Sequence, residues 1–383
     1  MNYRINPKNG DKLSILGFGC MRFAKDELEV EKQIISAIEN GVNYFDTAFI
    51  YPNSEAILGR VLAKGYRDRV KIATKMPPQS IKKYEDLDRI FNKELERLQT
   101  DHIDYYFMHM LKDVTIWNRL VDLGILKWIE EKKQKGQIIN LGFSYHGGKQ
   151  EFINLVDVYD WGFCMIQYNF LDENHQAGKS GLQYAAAKGL PVMVMEPLRG
   201  GKLVTALPKE VYSIWENAYV KRSPAEWAFR WIWNHPEVTV VLSGMNSQAM
   251  IDENIRVASE VEANAFTEKD FELFEKASKI LSEKIKIPCT GCNYCMPCPS
   301  GVDIPSCFSC YNDREIEGKN GAVMKYVMQT HGHNASLCNK CGKCELHCPQ
   351  KIEIRQELAK TSKALEGITY KSLKFVMKNI LKL

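Results

Sequence analysis

Leu13-Ser-Ile-Leu-Gly-Phe-Gly-Cys20, Asp26-Glu-Leu-Glu-Val-Glu-Lys-Gln-Ile-Ile-Ser-Ala-Ile-Glu-Asn40 and Val42-Asn-Tyr-Phe-Asp-Thr-Ala48 follow one another near the start of the chain. The first and third segments are short apolar runs, as buried strands read, and the middle one sets Leu28, Ile34, Ile35 and Ile38 near helical spacing. Runs of the same kind recur at residues 70–75, 103–109, 138–144, 163–169, 190–197 and 238–244, each interval leaving room for a helix. Eight β/α units in about 250 residues predict an α/β fold, a parallel (β/α)8 TIM barrel. A doubly wound open sheet is the alternative, but Gly17-Phe-Gly19 is too short for a nucleotide GxGxxG turn and opens no helix.

The longest interval begins at Pro197-Leu-Arg-Gly-Gly-Lys-Leu203 and runs to the helix expected near Pro224, enough chain for a flap over the barrel mouth. Outward from the barrel (1–262), the sequence predicts a charged helical linker (263–287), a small, mainly helical domain dense in cysteine (288–356) and a basic tail (357–383). The chain has 383 residues and a net charge of +4, and the tail alone holds six Lys against two Glu, so the rest balances. No strongly basic domain of the kind that binds nucleic acid is present. Neither a leader-like apolar stretch at the N-terminus nor a membrane-length apolar run occurs, and a soluble cytoplasmic protein is expected. In the tail, lysines at 371, 374, 378 and 382 alternate with Leu373, Val376, Met377, Ile380 and Leu381 as in a basic amphipathic helix, expected to pack on its own protein.

Of twelve cysteines, Cys20 and Cys164 stand apart and the other ten crowd between 289 and 348. One run is Cys289-Thr-Gly-Cys292-Asn-Tyr-Cys295-Met-Pro-Cys298-Pro299, the other Cys338-Asn-Lys-Cys341-Gly-Lys-Cys344-Glu-Leu-His-Cys348-Pro349. The second fits the CxxCxxCxxxCP spacing of [4Fe–4S] ligands, and in two-cluster ferredoxins the CP cysteine of each run ligates the other cluster. On that rule Cys289, Cys292, Cys295 and Cys348 hold one cluster, and Cys338, Cys341, Cys344 and Cys298 hold the other. The first run is one residue short before its last cysteine, which leaves Cys307 and Cys310 as rivals to Cys298. Zinc also takes four cysteines from such pairs; the paired CP endings favour iron–sulfur.

Several predicted strands end in chemically useful residues: Asp46 with Tyr51 just beyond, Lys75, and His109. Singly each has a structural explanation, but together they stand where barrel enzymes carry their chemistry. With Leu16-Gly-Phe-Gly19, Asp104-Tyr-Tyr-x-x-x-His109, Gly142-Phe-Ser144, Gln167-Tyr-Asn169, Glu196-Pro-Leu198 and Glu253-Asn254, they make residues 1–260 resemble the aldo/keto reductase superfamily. With the cysteine runs, nearly the whole chain resembles its ferredoxin-bearing branch.

The resemblance implies that Asp46, Tyr51, Lys75 and His109 form a catalytic tetrad. Tyrosine, with a pKa near 10, is a weak proton donor unless a cation such as Lys75 stabilises its phenolate. The resemblance also implies that Ser144 and Gln167 hold a nicotinamide carboxamide, that Tyr168 lies near the ring, and that Pro197, Leu198 and Gly200 cover the pyrophosphate. Gly244 and Asn254 would meet the adenosine. NADP(H) is the family's habit, while Met250, where a basic residue is frequent, keeps NAD(H) open.

The expected function is therefore NAD(P)H-dependent oxidoreduction of a small carbonyl or alcohol, coupled to two [4Fe–4S] clusters. The alternative is an electron-transfer or redox-sensing protein whose barrel binds nucleotide without carbonyl turnover. Hydride moves two electrons and each cluster one, which leaves three routes open: a flavin, an external electron carrier, or clusters that sense or brace.

Overall fold

The computed structural model describes residues 1–317, 319–330 and 332–379. Among these residues are ten strands: β1 Tyr3–Ile5, β2 Lys12–Ser14, β3 Leu16–Gly19, β4 Tyr44–Asp46, β5 Lys71–Met76, β6 Ile103–Leu111, β7 Ile138–Tyr145, β8 Phe163–Gln167, β9 Val192–Met195 and β10 Val238–Ser243. From β3 to β10 they close into a parallel barrel in sequence order, with β10 pairing β3. The expected (β/α)8 fold is the one observed.

The run at 13–20 differs in detail. It splits at Ile15 into β2 and β3, and β2 pairs antiparallel with β1 in a small hairpin. These strands are three residues each, too short for a period-2 signal to register. The Arg4 guanidinium donates to the carbonyls of Trp233 (2.6 Å) and His235 (2.8 Å), and Tyr105 donates its hydroxyl to Asp11 across 2.7 Å. The hairpin thereby closes the N-terminal end of the barrel.

Strand side chains alternate between faces, so every second residue of the barrel strands enters the interior. That interior is apolar and aromatic at its N-terminal end and middle: Leu13, Tyr44, Ala73, Tyr105, Phe107, Phe163, Met165, Met193 and Val240 form one buried cluster. Phe107 and Phe163 meet edge to face at 4.5 Å. A Cβ on Gly142 would come within 2.4 Å of the Phe163 carbonyl oxygen, so β7 approaches β8 there in a way that glycine permits.

The chain divides into two compact units, Met1–Pro197 with Glu226–Phe266, and Leu198–Ala225 with Thr267–Leu383. In the second unit the flap after β9 packs on the helix Glu268–Lys284: Trp215 lies 5.1 Å from Phe274, Tyr219 donates to Asp270 Oδ1 (2.8 Å), and Lys284 pairs with Glu210 (2.7 Å). The rest is helical, with Ile304–Glu317, Lys319–Thr330, Ile354–Leu365 and Ile368–Asn379 around a core of Ile287, Val302, Phe308, Tyr326 and Leu358. In the last helix Tyr370 is buried and 5.6 Å from Tyr326, and Leu373 packs on the same core. Ile380, Leu381 and Lys382 lie outside the described residues. No described helix is long and apolar enough to cross a membrane.

Candidate functional site

Two residues past the apolar layer, the same strand faces turn polar. Asp46 follows Tyr44, Lys75 follows Ala73, His109 follows Phe107 and Gln167 follows Met165, all directed inward by the period of two at the carboxyl ends of their strands. Lys75 Nζ donates to Asp46 Oδ2 at 2.5 Å and to the Thr47 carbonyl at 2.6 Å. It also sits 5.1 Å from the centroid of the Tyr51 ring. That ring meets His109 edge-on, centroids 6.1 Å apart at 80°. The four predicted residues are thus brought together.

Local structure places each of them. Tyr51 rides on the turn after β4, where its N–H donates to Ala48 O (2.9 Å) and Asn53 at φ 56 starts the helix Ser54–Val61. Ser54 pins this turn by donating to the Cys20 carbonyl (2.9 Å). β6 shifts register between Met108 and Leu111 with Met110 at φ 58, and the Met110 N–H donates to Ser144 Oγ at 2.8 Å. An irregularity of this sort at a barrel rim re-aims a side chain, here His109.

Burial raises the Asp46 carboxyl, and the Lys75 ammonium opposes that rise. Burial drives His109 well below the ordinary imidazole range, and the charges of Lys75 and His146 push the same way. At neutral pH the site therefore holds a neutral imidazole beside the Lys75–Asp46 contact.

The other predicted residues separate. Ser144 and Gln167 are buried at the same end of the barrel. Gln167 is held by Asp172, which accepts its amide N–H at 2.8 Å, and by Gln176, which donates to it at 3.0 Å. Asn169, quoted in the sequence but given no role, donates to the same Asp172 and to the Glu196 carbonyl. Tyr168 is one residue out of phase and turns to the helix layer, with Trp231 at 5.1 Å and His235 Nε2 3.3 Å from its hydroxyl. Asn254 donates to Ser243 Oγ (3.0 Å) just before Gly244. Pro197 ends the first unit, and Leu198 and Gly200 begin the flap, where Arg199, Gly200 and Gly201 all take positive φ (47°, 67°, 91°).

In the second unit, Cys289, Cys292, Cys295 and Cys348 line a small pocket whose walls include Ile304, Phe308, Ile352 and Ile354. Burial and then Cys289, Cys292 and Cys348 raise the Cys295 thiol. Around the second run, burial pushes the Cys344 thiol up to about 11, with Glu345, Cys338 and Cys298 adding to the shift. Cys307 and Cys310 do not line that pocket. They are buried in the helical core, Cys307 Sγ 3.6 Å from the Tyr326 hydroxyl and Cys310 Sγ donating to Gln329 at 3.2 Å. Among the described residues, no three Cys, His, Asp or Glu side chains converge closely enough to hold a single metal ion. Sequence reasoning did not foresee that the flap reaches the first cysteine run: Arg199 donates to the Pro288 carbonyl (3.4 Å) and Lys202 to that of Cys289 (3.0 Å).

Residues 15–279 match the aldo/keto reductase family, and residues 288–353 match the 4Fe-4S dicluster domain. The chain belongs to the aldo/keto reductase family. Among its relatives, the 6-dehydroglucose reductase of Novosphingobium aromaticivorans is 27% identical over 64% of this chain and 86% of its own length. An aldo-keto reductase from Bacillus halodurans in its holo form is 25% identical with a TM-score of 0.59, covering 72% of this chain and 96% of that one. One from Klebsiella pneumoniae in complex with NADPH shares the fold at 19% identity (TM-score 0.59; 72% and 95% covered). This aldo/keto reductase barrel therefore spans nearly the full length of those solved structures, and the dicluster match lies beyond its own.

Proposed function

We propose that the chain is a nicotinamide-dependent reductase of a small carbonyl compound, run in reverse on the alcohol, with Tyr51 as acid. The observation that carries this reading is the buried ammonium of Lys75, 2.5 Å from Asp46 and 5.1 Å from the Tyr51 ring. The nucleotide, when bound, supplies a hydride to the carbonyl carbon. Negative charge then collects on the carbonyl oxygen, and Tyr51 gives it the phenolic proton. Lys75 makes that proton easier to lose because a nearby cation favours the phenolate. Asp46 keeps the ammonium charged and in place. His109, neutral, donates an N–H toward the same oxygen without competing for the proton.

For the nucleotide we assign Ser144 and Gln167 to the carboxamide, Pro197, Leu198 and Gly200 to the pyrophosphate, and Gly244 and Asn254 to the adenosine. Tyr168 we now assign to the wall behind Gln167. NADP(H) is the nucleotide of choice. Met250, exposed on the first turn of the helix Gln248–Glu260, offers no charge to a 2′-phosphate and favours NAD(H) as the second reading.

We assign Cys289, Cys292, Cys295 and Cys348 to one [4Fe–4S] cluster and Cys298, Cys338, Cys341 and Cys344 to a second. The grouping of four thiols around an apolar-walled pocket supports the first. The CxxCxxCxxxCP spacing of the second run supports the other. Such clusters supply single electrons when bound.

The decisive experiment is Tyr51→Phe assayed for NADPH oxidation against a carbonyl panel, with nucleotide affinity measured by fluorescence. Turnover should fall by roughly 10²- to 10⁴-fold while affinity holds. An unchanged rate overturns the tetrad.

A further inference from the structure

The second cysteine run lies on a face unlike that of the first. Cys341 is exposed, whereas the other cysteines are half-buried or buried. Leu337 and Leu346 flank it with 44% and 72% of their surface exposed. Lys340, Lys343 and His347 are exposed within the same short stretch. Its one carboxylate, Glu345, is taken by Arg355, whose Nε and Nη2 donate to Oε2 at 3.0 and 2.8 Å. The guanidinium also lies against Gly342, Cζ 3.5 Å from where a Cβ would stand. The stretch around Cys341 thus exposes apolar and basic side chains together, and its acid is already neutralised.

We infer that this face docks an acidic protein that carries one electron at a time. Positive rims around a small apolar contact steer oppositely charged partners into brief encounters, and electron-transfer encounters use small interfaces. The exposed Cys341 brings the redox centre to the contact itself. In each encounter the reduced carrier loses one electron and the domain gains one; no bond forms or breaks and no proton moves. The inference rests on Cys298, Cys338, Cys341 and Cys344 being cluster ligands.

The test uses the full chain, prepared anaerobically, against a reduced plant-type [2Fe–2S] ferredoxin, whose surface is acidic. Methyl viologen radical, a small cation, serves as a control. Cluster bleaching by ferredoxin should slow about tenfold from low to high salt, as steered encounters do. Lys340→Glu with Lys343→Glu should slow it about tenfold at low salt and leave the high-salt rate unchanged. The same pair should weaken binding of oxidised ferredoxin measured by surface plasmon resonance, where no electron moves. Viologen should bleach wild type and variant equally. Ferredoxin rates indifferent to salt and to charge reversal overturn the docking inference. Failure of viologen to bleach the wild type overturns the ligand assignment beneath it. A dimer in sedimentation that the charge reversal dissociates gives the face to a second copy and overturns the acidic carrier.

Discussion

In the barrel, Asp46, Lys75 and His109 are each 4% exposed or less, and the 2.5 Å ion pair is complete within the protein itself. In the C-terminal unit, six of the eight assigned thiols, Cys289, Cys292, Cys295, Cys298, Cys338 and Cys344, are half-buried. Their loops turn through Gly291, Asn293, Lys340 and Gly342 at positive φ. Parallel strands fix the first set before any cofactor arrives. Short turns carry the second set, and there burial first, then Cys289, Cys292 and Cys348, raises the Cys295 thiol. A barrel site of this kind is preorganised, whereas a cysteine site of this kind is completed by what it binds.

Lys75→Met tests the preorganised half most severely. It leaves the Asp46 carboxylate buried without its cation, which costs about 3–5 kcal/mol. Unfolding by denaturant should register that loss, and carbonyl turnover should become undetectable. A variant as stable as wild type would mean the pair is not held as tightly as the geometry implies, and the contrast with the cysteine site would weaken.

The cysteine half is broken differently. Cys298→Ala should lower iron content from about eight atoms per chain to about four, since one of two four-iron clusters loses a ligand. Cys307→Val should leave iron unchanged and alter stability by less than about 1.5 kcal/mol, as a buried thiol behaves like a small apolar group. Iron analysis and visible absorbance of the two proteins decide the matter. Iron lost from Cys307→Val instead would place the helical-core cysteine among the ligands.

The sequence exposed what repeats and hid what is joined over long distance. Seven of the eight barrel strands could be read nearly to their ends because each is an apolar run bounded by turns. The parity that sends Asp46, Lys75 and His109 inward follows from the same period. Tyr168 obeys that parity as well: it sits next to an inward Gln167 and so faces the helices, a consequence that resemblance to relatives obscured. The flap's attachment to the helix Glu268–Lys284 rests on Trp215 with Phe274 and Tyr219 with Asp270, pairs more than 50 residues apart with no local signature. The contacts of Arg199 and Lys202 with the first cysteine run are of the same kind. The burial of Cys307 beside Tyr326 and of Cys310 beside Gln329 was hidden in the same way, because spacing alone leaves Cys298, Cys307 and Cys310 all within reach of a cluster.

The smallest expected effect probes how completely the barrel partners its own buried charges. Behind Lys75, on the outer face of β5 and β6, Glu94 accepts from the Tyr106 hydroxyl at 2.6 Å, and Thr74 donates to Glu55 at 2.7 Å. Arg97 sits with Glu55 at 3.1 Å. Glu55 therefore has the cation, and Glu94, fully buried, is raised well above the ordinary carboxyl range by burial and by the Glu55 charge. A group whose folded pKa is raised stabilises the fold fully below its unfolded value, about 4.3 for Glu, and loses that contribution as pH rises toward the folded value. Wild-type stability should thus decline relative to Glu94→Gln by at most about 1.4 kcal/mol per pH unit across that window. Glutamine keeps the hydrogen bond from Tyr106 and cannot ionise, so its own curve should be flatter. Denaturant unfolding of both proteins between about pH 5 and pH 8 reads the slope. Parallel curves would mean that Glu94 ionises freely inside the barrel wall, and that the barrel's buried acids are less fully partnered than the Lys75–Asp46 pair implies.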